Sequence, residues 1–290
     1  MSDVGDVTVR IAALYVHPVK SCAGIALNES LLIETGLEFD RAWMVVDTGR
    51  RFVTQRELPR MALIQPTLKQ HEMVLRAPGM LALHIALDIV EQPVRVKVWK
   101  DEVAAYDMGD LASQWFTDFL GPDVGRLRLA RFDPEQRRLS SRQWTGPIEA
   151  ENAFSDGYPL LVASTAGLAE LNRRLVAAGE APVTMSRFRP NLVLDGLEAN
   201  GEDHLDEIRF ETPEGPVRLK LVKPCVRCTI PDVDPATGVQ GHAVGDTFTA
   251  YRSDARMDGA ITFAMNAVIV EGIERPLRVG MEGAADYRFD

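Results

Sequence analysis

No stretch of this sequence is apolar for long enough to cross a bilayer, and its first ten residues, MSDVGDVTVR, carry neither the basic start nor the apolar core of a secretory signal. A cytoplasmic protein with no membrane partner is the expectation. Cysteine is scarce. Cys22, Cys225 and Cys228 make an odd set, too few for a disulfide framework, and they leave thiol chemistry open. The Asn28-Glu29-Ser30 sequon has no secretory context and is set aside. Positive charge is in deficit: 42 acidic residues face 32 Lys and Arg, the formal charge is -10, and no basic run offsets the resulting repulsion of nucleic acid. An anionic ligand therefore needs a local basic pocket, and cations near strand ends and turns are the candidates: Lys20, Arg41, Arg56, Arg60, Arg187, Arg189 and Arg227.

What is present is material for a core. With 46% hydrophobic residues, 290 residues suffice for one large domain or two ordinary ones. Short alternating or apolar runs separated by Gly, Pro and Asp, such as VRIAALYV, SLLIE, AWMVVD, LALHIAL and VRVKVW, predict a β-rich first part. RAWMVVD, Thr48-Gly49 and RRFVTQR predict a hairpin in which Gly49 takes the positive φ. Leu111, Trp115, Phe116, Phe119 and Leu120 recur at helical spacing, with Asp110 as the cap and Gly121-Pro122 as the stop, and a division into 1–122 and 123–290 follows. Residues 137–150 read as a long surface loop. In the second part PLLVA predicts a strand, then a helix from about 165 to 178, capped by Ser164, ended by Gly179 and buried through Leu168, Leu171, Leu175 and Val176. Further strands are expected at NLVLD, EIRF, VRLKLV, FTAYR and ITFAMNAVIV, with no internal repeat. The fold class is predominantly β with some helices.

Lys223-Pro224-Cys225-Val226-Arg227-Cys228 follows a predicted strand and precedes the turn-rich PDVDPATG. A thioredoxin-like pair needs a helix after the first thiol, and prolines stand there instead. Structural zinc needs four ligands, yet the five histidines lack the usual zinc-finger spacing. A single soft thiolate for a transition metal, with Arg227 favouring the ionised sulfur, remains. So does the plain alternative of two small residues packed at a strand end.

Eight short segments give the context. Tyr15 to Cys22 (YVHPVKSC), Gly36-Leu37, Asp40 to Met44 (DRAWM) and Thr54-Gln55-Arg56 lie in the first part; Ser155 to Pro159 (SDGYP), Phe188 to Asn191 (FRPN), Cys225 to Cys228 with DPATG, and Phe263 to Asn266 (FAMN) lie in the second. Together they resemble the MOSC family, named for the molybdenum-cofactor sulfurase C-terminal domain, with its N-terminal β-barrel partner. The functional groups resembled are bacterial proteins that detoxify hydroxylaminopurine and the mitochondrial amidoxime-reducing components. The resemblance implies an N-terminal β-barrel-like domain and a MOSC β-barrel domain with molybdenum cofactor (molybdopterin) between them. It implies Cys228 as the metal ligand, Cys225 as a packing neighbour, and cofactor contacts from Lys20, Ser21, Arg41, Asp156, Arg189, Asn191 and Arg227, while Asn266, an amide expected in a buried strand, needs partners in protein or cofactor. Reduction of small N-hydroxylated substrates is the implied activity, with Asp156 or Asp234 relaying a proton. With no cysteine after Cys228, an iron-sulfur cluster is not expected in this chain, and electrons are expected from a separate ferredoxin- or flavoprotein-type protein. Val226 departs from a hydroxyl residue common in the family. The competing function is a carrier of the cofactor, or a sulfur-transfer protein, without reductase activity.

Each position also has a plainer explanation. Lys20-Ser21 suits a solvated turn, Arg41 a surface pair with Asp40 or Asp47, Arg189 the extended residue before Pro190, and Asp156 a simple Asx turn.

Overall fold

The computed structural model describes residues 5–89 and 92–288. Residues 1–4 of the start read above as lacking a signal, and 289–290 at the far end, lie outside the described residues. Seven strands form a closed barrel: β1 (Val7–Val16), β2 (Leu160–Ser164), β3 (Leu192–Asp195), β4 (Leu205–Thr212), β5 (Gly215–Val226), β6 (Thr262–Glu271) and β7 (Glu282–Tyr287). Their spatial order is β3-β2-β6-β5-β4-β7-β1, and β1 closes the ring on β3. All pairings are antiparallel except β2 with β3. The barrel is filled by inward residues of every strand, among them Val9, Ile11, Leu14, Val162, Leu194, Ile208, Leu219 and Met265. In β1 the buried positions switch from Val9 and Ile11 to Leu14 and Val16 because a bulge between Ile11 and Ala13 inserts one residue and shifts the alternation.

The strand pairings run across the expected division at 122/123 in both directions. β1 belongs to the barrel of the second part, whereas Arg128–Phe132, from after the division, pairs with Trp43–Val46 and Asp101–Asp107 in a four-stranded sheet. A three-stranded sheet (Gln65–Leu68, Glu72–Arg76, Leu83–Ala86) and the helix Gly109–Leu120 enclose a second core around Trp43, Phe116 and Phe119.

Several local expectations need correction. FTAYR is not a strand: Val244, Phe248 and Tyr251 recur at helical spacing, and the helix Ala243–Thr249 buries Val244 and Phe248 against Phe188 and Phe263. Gly49 does not carry the positive φ of the 43–53 turn; Arg50 does, at φ 60°. Asp110 lies inside the first helical turn, and it is the Asp107 carboxylate that accepts from Gly109 N, at 2.8 Å. In the helix Thr165–Ala177 Ser164 does cap, accepting from Gly167 N at 2.9 Å, but Val176 faces solvent. The 137–150 segment holds a helical turn, Arg142–Thr145, and buries Arg138.

Candidate functional site

β1 runs out at Val16, and Pro18 ends its ladder. The chain then turns tightly, Lys20 N donating to Trp43 O at 2.8 Å, and Ser21 is forced to φ 66°. This turn directs Lys20 inward. Only 6% exposed, its ammonium donates to Phe154 O at 2.8 Å and to Asp156 at 2.6 Å. Burial pushes the Lys20 pKa down, and Asp156 opposes the shift only in part. Asp156 keeps most of its side chain open to the cleft, though the walls crowd its carboxyl. That desolvation raises its pKa, but Lys20 and the Trp99 indole N–H outweigh it, so the group stays ionised.

Beside it, Arg41 at φ 50° and Arg189 at φ 59° are likewise left-handed non-glycine residues, a conformation that costs roughly 1–2 kcal/mol each. Arg41 pairs with Asp40 and also donates to Asn191 Oδ1 at 3.2 Å and to Arg189 O at 2.9 Å. Asn191 is fully buried, and its Oδ1 also accepts from Leu161 N at 3.0 Å, which locks β2, β3 and Arg41 together. Burial raises the Asp40 carboxyl, but Arg41 and His17 outweigh this and hold it at about 2. Burial first, then the charges of Arg189 and Arg41, drive His17 down to about 3, leaving a neutral imidazole. Arg189 donates to Cys22 O, while its Nη2 is buried without a partner. Burial and the neighbouring Arg41 lower its pKa to about 9. Cys22 is sealed beneath, its thiol pushed up to about 12 by burial, and is chemically inert.

From the other side, β5 ends against β6 through three irregularities, the last between Pro224 and Val226, where a proline fits because a bulge spares its missing N–H. The chain leaves the rim there. Cys228 is exposed, whereas Cys225 packs against the core around Phe188. Arg227 corrects one expectation: its Nη1 reaches Cys225 Sγ, at 3.2 Å, and its Nη2 donates to Phe188 O at 3.2 Å, while its Nε is buried and unpartnered.

Lys20, Ser21, Arg41, Asp156, Arg189, Asn191, Arg227, Cys228 and Asn266 all line one recess of about 130 Å³. Five cations (Arg56 is the fifth) face one carboxylate there, in a chain of net charge -10. Asn266 donates to Lys223 O at 3.2 Å and so has its own partner. Asp234 is not among the lining residues; it pairs with Arg187 at 3.4 Å and accepts from Ala236 N within its own turn. Arg60 stacks on Phe119. Among the described residues no three of His, Cys, Asp and Glu converge on one point, so a closed zinc site has no ligand set.

The family model for the MOSC N-terminal beta barrel domain matches residues 8–123, and that for the MOSC domain matches 149–282. The chain belongs to the MOSC family. It is 34% identical over 251 residues to mouse mitochondrial amidoxime-reducing component 1, covering 83% of this chain and 71% of the relative. The human component 1 matches at 34%, covering 83% and 72%, and bovine component 2 at 33%, covering 79% and 68%. No described helix is long and apolar enough to cross a membrane.

Within this MOSC chain two contributors to the site escape a reading of motifs. Arg138, in the expected surface loop, is 7% exposed and donates to Ala153 O at 2.8 Å and Ser155 O at 2.7 Å, shaping the turn that presents Asp156. Trp99, at a hairpin tip, reaches Asp156 from 57 residues away. Only the oddity of a tryptophan between two alternating runs signals it in the sequence.

Proposed function

We propose that this MOSC protein is a molybdenum-cofactor-dependent reductase of N-hydroxylated compounds such as hydroxylamines and amidoximes, supplied with electrons by a separate ferredoxin- or flavoprotein-type partner. One observation carries the reading. The exposed Cys228 thiol lines both the five-cation recess and an outer chamber of about 710 Å³ that shares part of its lining, so a soft metal ligand stands beside both a cationic floor and an accessible space. The donor set fits a pterin with a terminal phosphate: Lys20 and Arg41 are anchored in place, and the orphaned Arg189 Nη2 and Arg227 Nε need acceptors that the protein does not provide. The names of the relatives, amidoxime-reducing components, point to the same substrate class.

When bound, the molybdenum group supplies two-electron reduction. The chain's own residues bind and orient. Cys228 offers the thiolate, Arg41 and Arg189 hold negative charge, and Asn191 fixes Arg41. Asp156, kept ionised, suits the anchoring of Lys20 and not the donation of a proton, and Asp234 sits outside the recess.

The test is Cys228→Ala, purified from cells that make the pterin. Wild type should contain molybdenum and reduce benzamidoxime with reduced viologen; the variant should do neither. Full activity in the variant overturns the reading. Wild type that hands intact cofactor to an apo-enzyme without turnover would instead be a carrier.

A further inference from the structure

The outer chamber has one wall that the site's anion binding does not explain. Trp99 and Lys100 are the two-residue loop between the strands Gln92–Val98 and Asp101–Asp107, where Val98 pairs with Asp101. Trp99 has φ 55°. Hairpin loops that need a positive φ at their first residue favour glycine, asparagine or aspartate, and a bulky aromatic there is strained. A residue that breaks a local rule in this way marks a functional position when its surroundings hold it there.

The surroundings do. The Trp99 Nε1 donates to Asp156 at 3.2 Å, Phe52 meets the ring edge-on with centroids 5.0 Å apart, and the Arg56 guanidinium lies 5.0 Å from the ring centre. Despite three ties, the residue stays 51% exposed and lines the chamber that Cys228 also lines. Tyr158, Leu139 and Val226 add apolar surface to that chamber. Val226, which departs from the hydroxyl residue common in the family, is 44% exposed and adds to that apolar surface. An indole fixed on its edge and open over much of its surface is a stacking platform, and the apolar patch beside it suits a planar ring rather than a small polar molecule.

We propose that Trp99 is a specificity-determining residue of this site: it selects substrates with a flat aromatic body and holds that body in the outer chamber, so that the N-hydroxylated group is directed toward Cys228. Asp156 positions the indole and is itself anchored by Lys20, which ties the platform to the floor of the recess. The inference rests on the reductase reading above for the reacting group, but not for the recognition of the ring.

The experiment compares benzamidoxime with acetamidoxime, which differ in phenyl against methyl, on holoenzyme carrying Trp99 or the Trp99→Gly substitution. Glycine suits the turn's φ, so the hairpin keeps its geometry. Loss of one stacking partner predicts about a tenfold fall in the kcat/KM ratio of benzamidoxime over acetamidoxime, expressed mainly in the KM for benzamidoxime. Calorimetry should show benzamidoxime binding weakened by about the same factor. Trp99→Phe, which keeps a ring but loses the indole donor, should restore most of the preference. An unchanged ratio and unchanged binding in Trp99→Gly overturn the proposal, as does an equal loss for both substrates. If wild type binds benzamidoxime through Trp99 yet reduces neither compound, the reductase reading fails and this one stands.

Discussion

Of two arginine-lined clefts among the described residues, the recess and a second one, only the recess leaves positive charge unmatched. The second lies on the four-stranded sheet, has about 590 Å³ of space, and is lined by Arg50, Arg126 and Arg128 with Asp47, Asp107 and Asp110. Its charges are matched: Arg128 Nη2 donates to Asp107 at 2.6 Å, and Arg126 reaches Asp110 at 2.7 Å. The bond to Asp107, joined by one from Arg128 Nη1 to Asp110 at 2.9 Å, raises the Arg128 pKa. In the recess the direction is reversed. Burial lowers Lys20 and Arg189, and guanidinium nitrogens of Arg189 and Arg227 have no acceptor. The arginine count, four in the recess against three, does not separate the two clefts. Unmet positive charge does, together with three strained backbones at Ser21, Arg41 and Arg189 against one at Arg50.

The largest test of that contrast removes one guanidinium from each cleft. Arg189→Met should weaken retention of the proposed molybdenum cofactor on the order of a thousandfold, because a buried cation facing an anion is lost; molybdenum content after gel filtration measures it. Arg128→Met should leave retention as in wild type. Because Arg189 is desolvated and underpaired, the metal-free Arg189→Met protein should melt no lower than wild type. Equal losses in both variants would erase the distinction between the clefts.

Asp40 is where the recess does have a matched charge. It is 5% exposed, pairs with Arg41 and accepts from His17 N at 2.7 Å. Asp40→Asn strands Arg41 and should cost about 3 kcal/mol of folding stability. Its folded pKa of about 2 lies below the unfolded value of about 3.9. The contribution is therefore full above pH ~4 and fades as the pH falls toward 2. Urea titrations of wild type and variant should converge over that interval; a gap that persists at its lower end would show that the pair's charge is not what stabilises.

How much of this was written locally can be judged residue by residue. Alternation was enough for β4 and β5, and a serine before an amphipathic run was enough for the cap at Ser164, because both are short-range effects. The family resemblance implied a barrel, but which strands close it was not legible in their alternation. β1 pairs with β3 residues 178 to 185 positions away, and nothing in its alternating pattern says which edge it will meet. FTAYR misled because five residues are too few to separate a period of two from one of 3.6. The recess residues stood out as cations and turns, but their strain and the missing acceptors exist only once the barrel brings 20, 41 and 189 together. Arg138 and Trp99 carried no motif at all, since each acts through a contact set by the tertiary fold.

Desolvation also acts on a buried acid, Glu202, with the opposite sign of charge. Glu202 is 1% exposed and accepts from Ser164 N at 3.1 Å and from its hydroxyl at 2.6 Å. Burial raises its pKa to about 6, with the Ser164 bonds opposing and the Asp203 charge assisting. Between the unfolded value of about 4.3 and 6 the unfolded chain has released a proton that the folded chain keeps, so stability falls as pH rises through that window and stays lower above it. Relative to Glu202→Gln, wild type should lose about 2 kcal/mol from pH 4 to 7. Parallel pH profiles of the two proteins in urea would mean that water, not the core, surrounds this carboxyl.

The smallest effect concerns strain alone. Arg50 sits at φ 60° on an exposed turn of the second cleft, donating from its N to Asp47 O at 3.0 Å. Glycine relieves roughly 1–2 kcal/mol of left-handed strain, and its greater freedom when unfolded returns about 0.5–1 kcal/mol. Arg50→Gly should therefore stabilise by about 0.5 kcal/mol, or raise Tm by roughly 1–2 °C, with no change in cofactor retention. Ser21→Gly removes the same kind of strain in the recess, but there the backbone holds Lys20 against Phe154 and Asp156. A similar rise in Tm should come with weaker retention of molybdenum. Calorimetric melting paired with metal analysis on both variants separates strain that merely persists from strain that positions a ligand; loss of metal from Arg50→Gly would mean the two clefts are not independent.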